Sequence, residues 1–218
     1  MALRPLAALL ACTLAAAPMA AQTGAVGARF GTTGLSLEAS ARFNPKIAVR
    51  GGLSFFSWTF RHRASSVSFT ADVDFKAKYG ILDFYPTGGS FHLSGGITTA
   101  PVEVAAVGRP NFGGSYIFNG RQYPASAVGA VNAEALWPDV APYVGLGWGG
   151  AGPGETVGLT FDIGVAIGTP TFTMSAQNAT AGSQLEADVN AERDEIQAEM
   201  DKYGKVYPMI SMGIVFRF

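Results

Sequence analysis

Few residues in this chain are of a type that does covalent or metal chemistry. There are two histidines, His62 and His92. His62 has Ser57, Ser65 and Ser66 close by in sequence, and a histidine with a serine and a carboxylate is the apparatus of acyl transfer. The local sequence matches no hydrolase motif, and Arg61-His62-Arg63 reads more simply as a solvated rim. No metal-ligand spacing is present. Gly145-Leu146-Gly147-Trp148-Gly149-Gly150 is not a nucleotide loop, because it alternates as a strand and no helix follows it. No cofactor is implied. What remains is charge. Arg29, Glu38, Arg42, Arg50, Asp72, Asp74, Lys76, Lys78, Asp162 and Arg217 all fall on the polar phase of alternating segments, and His92 joins them. If those faces converge, opposite charges should pair, since an unpaired buried charge is very costly.

The segments that would position these charges are strands. In a strand successive side chains face opposite ways. From Tyr207 to Phe218, Pro208, Ile210, Met212, Ile214, Phe216 and Phe218 form one apolar wall, and the alternate wall is small or polar up to Arg217. The same period runs through Val26–Phe30, Leu35–Phe43, Ile47–Phe55, Val67–Tyr79, Phe91–Ile97, Val140–Trp148 and Val157–Ile167. In the fourth of these, Val67 to Tyr79 are expected to face outward and Ser68 to Lys78 inward, with a bulge near Ile81-Leu82 that returns Asp83 to the inside. With the split at Gly31-Thr32-Thr33-Gly34 the count is eight. Backbone polar groups cannot stay unpaired in lipid, so an alternating membrane chain must close into a barrel. The expectation is an all-β, eight-stranded, antiparallel, up-and-down transmembrane barrel; ten strands result if the Tyr116–Tyr123 hairpin with its Asn-Gly turn joins the wall.

Composition agrees. The 218 residues are 48% hydrophobic and 14% charged, with 28 glycines and a formal charge of −1, which gives no global field for nucleic acid. Beyond the N-terminus no run approaches the roughly 20 apolar residues of a spanning helix. Residues 1–21 read as a secretory signal peptide, with Arg4 before an apolar run and small residues near a cut at Ala20 or Ala21. Leu9-Leu10-Ala11-Cys12 imitates a lipoprotein box, but the apolar run continues past it, so Cys12 is expected to leave with the signal. Residues 22–218 form the barrel domain, with long extracellular loops at about 105–135 and 176–204.

One segment breaks the β period. Ser183 to Tyr203 carries a capping-box pattern, Ser183 with Glu186, and Leu185, Val189, Ile196, Met200 and Tyr203 recur at helical spacing. This is an acidic amphipathic helix in the last extracellular loop, packed over the barrel mouth or serving as a lid or docking surface. Aromatic residues gather near strand ends as an interfacial girdle: Phe43, Tyr85, Phe91 and Trp148 at the periplasmic side, Trp58 and Trp137 at the other.

The signal peptide, the alternating strands and the terminal Arg217-Phe218 together resemble the small outer-membrane β-barrel proteins of Gram-negative bacteria. Phe43-Asn44-Pro45-Lys46, Leu82-Asp83-Phe84-Tyr85-Pro86, Ala141 to Gly149 and the acidic helix before Tyr207-Pro208 resemble an uncharacterised group of such barrels, with outer-membrane protein A and W-type barrels as the nearest analogy. The resemblance implies residence in the cell outer membrane and contact with its lipid and lipopolysaccharide. It also implies a monomer inserted by the barrel-assembly machinery, which would read Phe218 and Phe216. A structural or surface-facing role with a salt-bridged lumen is the leading reading. A small-solute channel comes second, and a lipid A-modifying enzyme third.

Overall fold

A computed structural model describes residues 23–63, 67–99, 102–111, 113–150 and 155–218. The expected signal peptide with Cys12, and Ser65 and Ser66, lie outside these residues. In chain order the elements are β1 (Thr23–Gly31), β2 (Gly34–Asn44), β3 (Ile47–Arg63), β4 (Val67–Phe75), β5 (Lys78–Phe84), β6 (His92–Thr98) and β7 (Glu103–Pro110). Then come β8 (Ser115–Phe118), β9 (Arg121–Pro124), α1 (Ala125–Val128), β10 (Val131–Leu136), β11 (Ala141–Gly149), β12 (Val157–Ile167), β13 (Thr171–Ala176), α2 (Gln184–Tyr203) and β14 (Val206–Arg217).

Eight of these strands close a ring. β1 pairs with β2, β2 with β3, β3 with β5, then β6, β11, β12 and β14 follow, and β14 returns to β1, every pair antiparallel. The Tyr116 hairpin is a separate two-stranded sheet, so the wall has eight strands and not ten. Closure leaves no open edge in lipid. Outward side chains form an apolar belt: Leu37, Val49, Leu82, Ile97, Val144, Leu159, Ile163 and Ile214 are all exposed. A soluble protein would not tolerate so much contiguous apolar surface, whereas hydrocarbon requires it.

Four of the barrel strands continue beyond the membrane. β3 is one 17-residue strand whose lower half pairs with β5 and whose upper half pairs with β4. Leu53 faces Lys78 and Phe56 faces Phe75, three residues further along on both sides, so β4 and β5 are one strand in unbroken register. The expected bulge near Ile81 is absent. β6 with β7, and β10 with β11, are likewise halves of one run, since their pairings carry across without slippage. The upper halves form a five-stranded sheet ordered β3-β4-β7-β10-β13, so much of the expected 105–135 loop is strand.

Between β7 and β10 the chain makes the β8–β9 hairpin, with Asn119 at φ +49° and Gly120 at φ +72° in its two-residue turn, where both central residues need positive φ. Tyr116, Phe118, Val128, Val131, Ala176, Leu185 and Val189 then form a compact apolar core between hairpin, sheet and α2. The Ser183 side chain accepts from the Glu186 amide at 3.1 Å, and the Glu186 carboxylate reaches back to the Gly182 amide. Of the helix's apolar stripe, Leu185 and Val189 are buried, while Tyr203 is exposed.

Candidate functional site

The inward faces of the ring meet in a charged cluster. Arg29 on β1 lies beside Glu38 on β2, Nε to Oε2 2.8 Å, and also bonds Asp162 on β12. Arg50 on β3 reaches Asp83 on β5 at 2.9 Å, Asp162 at 2.7 Å and Glu38 at 3.8 Å. His92 on β6 places Nε2 3.0 Å from Asp162 Oδ1. Tyr79 donates to Glu38 and Ser94 to Asp83, at 3.1 and 2.6 Å. These two guanidiniums, three carboxylates and one imidazole come from six strands and are each at most 7% exposed. A ring of eight strands leaves an interior that side chains can fill. Here glycine makes the space: a Cβ on Gly147 would sit 2.5 Å from His92 Nε2 and 2.7 Å from Asp162 Oδ1.

Small cavities lie on either side of the cluster. One, of about 70 Å³, lies on the side away from the upper sheet and is lined by Arg42, Tyr85, Thr160 and Arg217 with Arg29 and Arg50. The other, about 30 Å³, lies toward the upper sheet between Thr33, Ser36, Tyr79, Tyr143 and Ser211. Both are lined by polar side chains and are large enough to hold water.

Of the residues expected in the lumen, Arg29, Glu38, Arg50 and Asp162 come together, with Asp83 and His92. Arg42 and Arg217 lie at the mouth opposite the upper sheet; Arg42 donates to the Pro45 carbonyl at 2.8 Å and stacks over the Tyr85 ring at 4.0 Å. Asp72, Asp74, Lys76 and Lys78 do not face the lumen. With no bulge in β4–β5, the odd residues continue the lumen-side face and the even ones point outward. Asp72, Lys76 and Lys78 are therefore exposed, and Asp74 pairs with Lys76 at 3.1 Å in the open. Tyr79 and Ile81 take the inward positions instead.

Phe43 and Trp148 stand outward near the end opposite the upper sheet, with Phe91 packed 5.2 Å from Trp148. Three further aromatics are placed differently from a girdle. Tyr85 turns inward beside Arg42 and His92, and Phe84 takes the exposed position next to it. Trp137 packs edge-on to Tyr207 at 5.5 Å, on the lumen side. Trp58 belongs to the upper sheet, between Phe56 and Phe60 at 6.1 and 5.7 Å. His62 is exposed and faces Phe69 across the β3–β4 pair.

The upper sheet has an apolar and a polar face. Phe56, Trp58, Phe60, Phe69, Val73, Phe75, Val104, Ala106, Ala133, Ala135, Phe172 and Met174 share the lumen-side face by cross-strand register. Ser57, Thr59, Arg61, Asp72, Asp74, Glu103, Glu134 and Thr173 share the other. Sequence reasoning did not single out Asp188, which ties α2 to the hairpin. It is 3% exposed and accepts from Asn119 Nδ2, Gln184 Nε2 and the Tyr123 hydroxyl. The Tyr123 hydrogen bond, with those from Asn119 and Gln184 and the charge of Arg121, holds its carboxyl below the usual range. Little marks Asp188 among the helix's other carboxylates, since its hairpin partners Tyr123 and Asn119 lie 65 and 69 residues away.

A closed ring of eight antiparallel strands, an apolar belt around it and a charged interior define a β-barrel of the outer-membrane type. The chain is similar in fold to the crystal structure of Acinetobacter baumannii CarO, at 22% identity and a TM-score of 0.58, over 89% of this chain and 97% of that one. It is similarly related to Acinetobacter baumannii CarO2, at 19% identity and a TM-score of 0.60, over 90% and 98%. At these identities the likeness establishes the shared barrel fold and nothing finer. No protein-family model and no curated protein matches the chain.

Proposed function

We propose that this protein is an integral outer-membrane barrel with a structural or surface-interaction role, its lumen stopped by ion pairs and its upper sheet, hairpin and helix forming the working surface. One observation carries the reading: Arg29, Arg50, Glu38, Asp83, Asp162 and His92 meet across the barrel interior. Pairing of this kind holds each charge in place, because separating any pair strands its partner in a poorly solvated site. Residues 1–21 serve as the export signal. Outer-membrane lipid and lipopolysaccharide meet the belt, and the assembly machinery reads Phe216 and Phe218, whose side chains are 49% and 80% exposed at the end of the closing strand. His62 shares the apolar face of the upper sheet with Phe69, while Ser57 lies on the polar face.

The test is conductance of the refolded protein in a planar bilayer. A stopped lumen gives no steady single-channel current. Regular openings with defined charge selectivity would reject it in favour of small-solute passage. That second reading draws on the two cavities, which abut the same Arg29–Arg50 layer from opposite sides and would join if it rearranged.

A further inference from the structure

The two edges of the upper sheet are finished differently. At the β13 edge, α2 packs on the strand: Gln197 accepts from the Phe172 amide at 2.7 Å and donates to the Pro170 carbonyl at 3.1 Å, occupying two backbone groups at the start of that edge. At the β3 edge no such cover exists among the described residues. β2 accompanies β3 only as far as Phe55, which faces Leu35, and the chain then turns back to β1. From Phe56 to His62 every side chain is exposed, Trp58 by 54% and Phe60 by 57%.

The direction of the backbone groups on this edge follows from one hydrogen bond. The Ser54 amide donates to the Ala77 carbonyl at 2.7 Å, so even-numbered residues of β3 address β4 and β5. Amides and carbonyls alternate sides along an antiparallel strand. Those of Ser57, Thr59 and Arg61 therefore point away from β4, into the open. Their side chains lie on the polar face, while Phe56, Trp58 and Phe60 lie on the apolar one.

We infer that the free edge of β3, from Phe56 to His62, is a docking site for an extended polypeptide segment of another protein, which adds to the sheet as a further strand. The alternating donors and acceptors of Ser57, Thr59 and Arg61 are complementary to a peptide backbone, and an unprotected edge is a template for one. The aromatic row favours aliphatic or aromatic residues at alternate positions of the incoming strand, and Arg61 favours an acidic residue on its other face. A second copy of this chain fits poorly. Two copies in one membrane share their outward direction and are related by rotation about its normal. Edge pairing about that axis would set the apolar face of one sheet on the side of the other's polar face. The inference rests on the upper sheet being the working surface and is independent of whether the lumen conducts.

The experiment uses the refolded full chain in nanodiscs and a synthetic eight-residue peptide. The peptide alternates valine with threonine and carries one glutamate to meet Arg61. Hydrogen exchange is followed residue by residue, to millimolar peptide. The expected result is at least tenfold slower exchange at Ser57, Thr59 and Arg61, with no change at the β13 edge. Thr59→Pro removes an open-facing N–H and none of the β3–β4 bonds, and should abolish the protection while the heat-dependent gel shift of the folded barrel persists. Trp58→Ala with Phe60→Ala should weaken it at least fivefold. No protection at millimolar peptide overturns the proposal. So does peptide binding indifferent to Thr59→Pro, which would indicate side-chain stacking of the sort a glycan or lipid also makes. Protection that depends on protein concentration without peptide would assign the edge to a second copy and likewise overturn it.

Discussion

Below the outer rim, apolar side chains of the barrel face away from its axis and polar ones toward it; in the upper sheet the assignment is reversed. β4 and β5 carry both arrangements on one uninterrupted strand. Leu82 and Phe84 point outward and are apolar, Asp83 points inward and is charged. Ten residues earlier, Asp72 and Asp74 point outward and Val73 and Phe75 inward. The backbone does not distinguish the two; the solvent does. Lipid draws apolar groups to the outside of a barrel, and water sends them back toward whatever protein covers the mouth. Alternation therefore fixes which residues share a face, but not which face is outside.

The largest contrast should come from charge. Arg50→Met leaves Asp83 and Asp162 short of a partner in the lumen and should destabilise the barrel by about 3–5 kcal/mol, less whatever lumen water recovers, as read from urea unfolding in lipid. Asp74→Asn breaks an exposed pair on the upper sheet and should cost less than about 1 kcal/mol. Equal effects at the two sites would remove the distinction between a paired interior and a solvated outer face.

Next in size is the lipid belt. Ile163 lies mid-strand between Leu146 and Ile210 and faces outward. Arg at a midplane lipid-facing position costs about 2–4 kcal/mol, so Ile163→Arg should lower stability by that amount in vesicles. Thr173→Arg, on the polar face of the upper sheet, should change it by less than about 0.5 kcal/mol.

The smallest effect concerns the helix dock. Asp188 titrates lower when folded than when unfolded, chiefly through the Tyr123 hydroxyl. A depressed carboxyl stabilises fully above its unfolded value, about 3.9, and that contribution fades as pH falls through the lower folded value. Limited proteolysis should cut α2 below about pH 4 while the heat-modifiable band of the barrel is unchanged. Asp188→Asn should lose most of this pH dependence.

Much of this architecture is legible in the sequence. Seven of the eight wall segments keep the phase that alternation suggests, because lipid enforces it residue by residue along Val140–Trp148, Val157–Ile167 and Pro208–Phe218. Arg29, Glu38, Arg50 and Asp162 stand out as charges on inward phases. The fourth segment misleads for a physical reason. Val67–Phe75 is as apolar on one side as any membrane strand, and only its height above the bilayer reveals that this side faces in. Tyr79 is hidden by the same inversion, and Asp188 by the many carboxylates around it.

The inversion itself can be measured directly. Single cysteines placed one at a time from position 71 to 84, each carrying a nitroxide, report collisions with oxygen in lipid and with a nickel chelate in water. The account predicts that even positions are the outward ones throughout, water-accessible at 72 and 74 and oxygen-accessible at 82 and 84, while 73, 75, 81 and 83 are shielded from lipid. A change of parity between 76 and 82, or oxygen contact at 73 and 75, would contradict it.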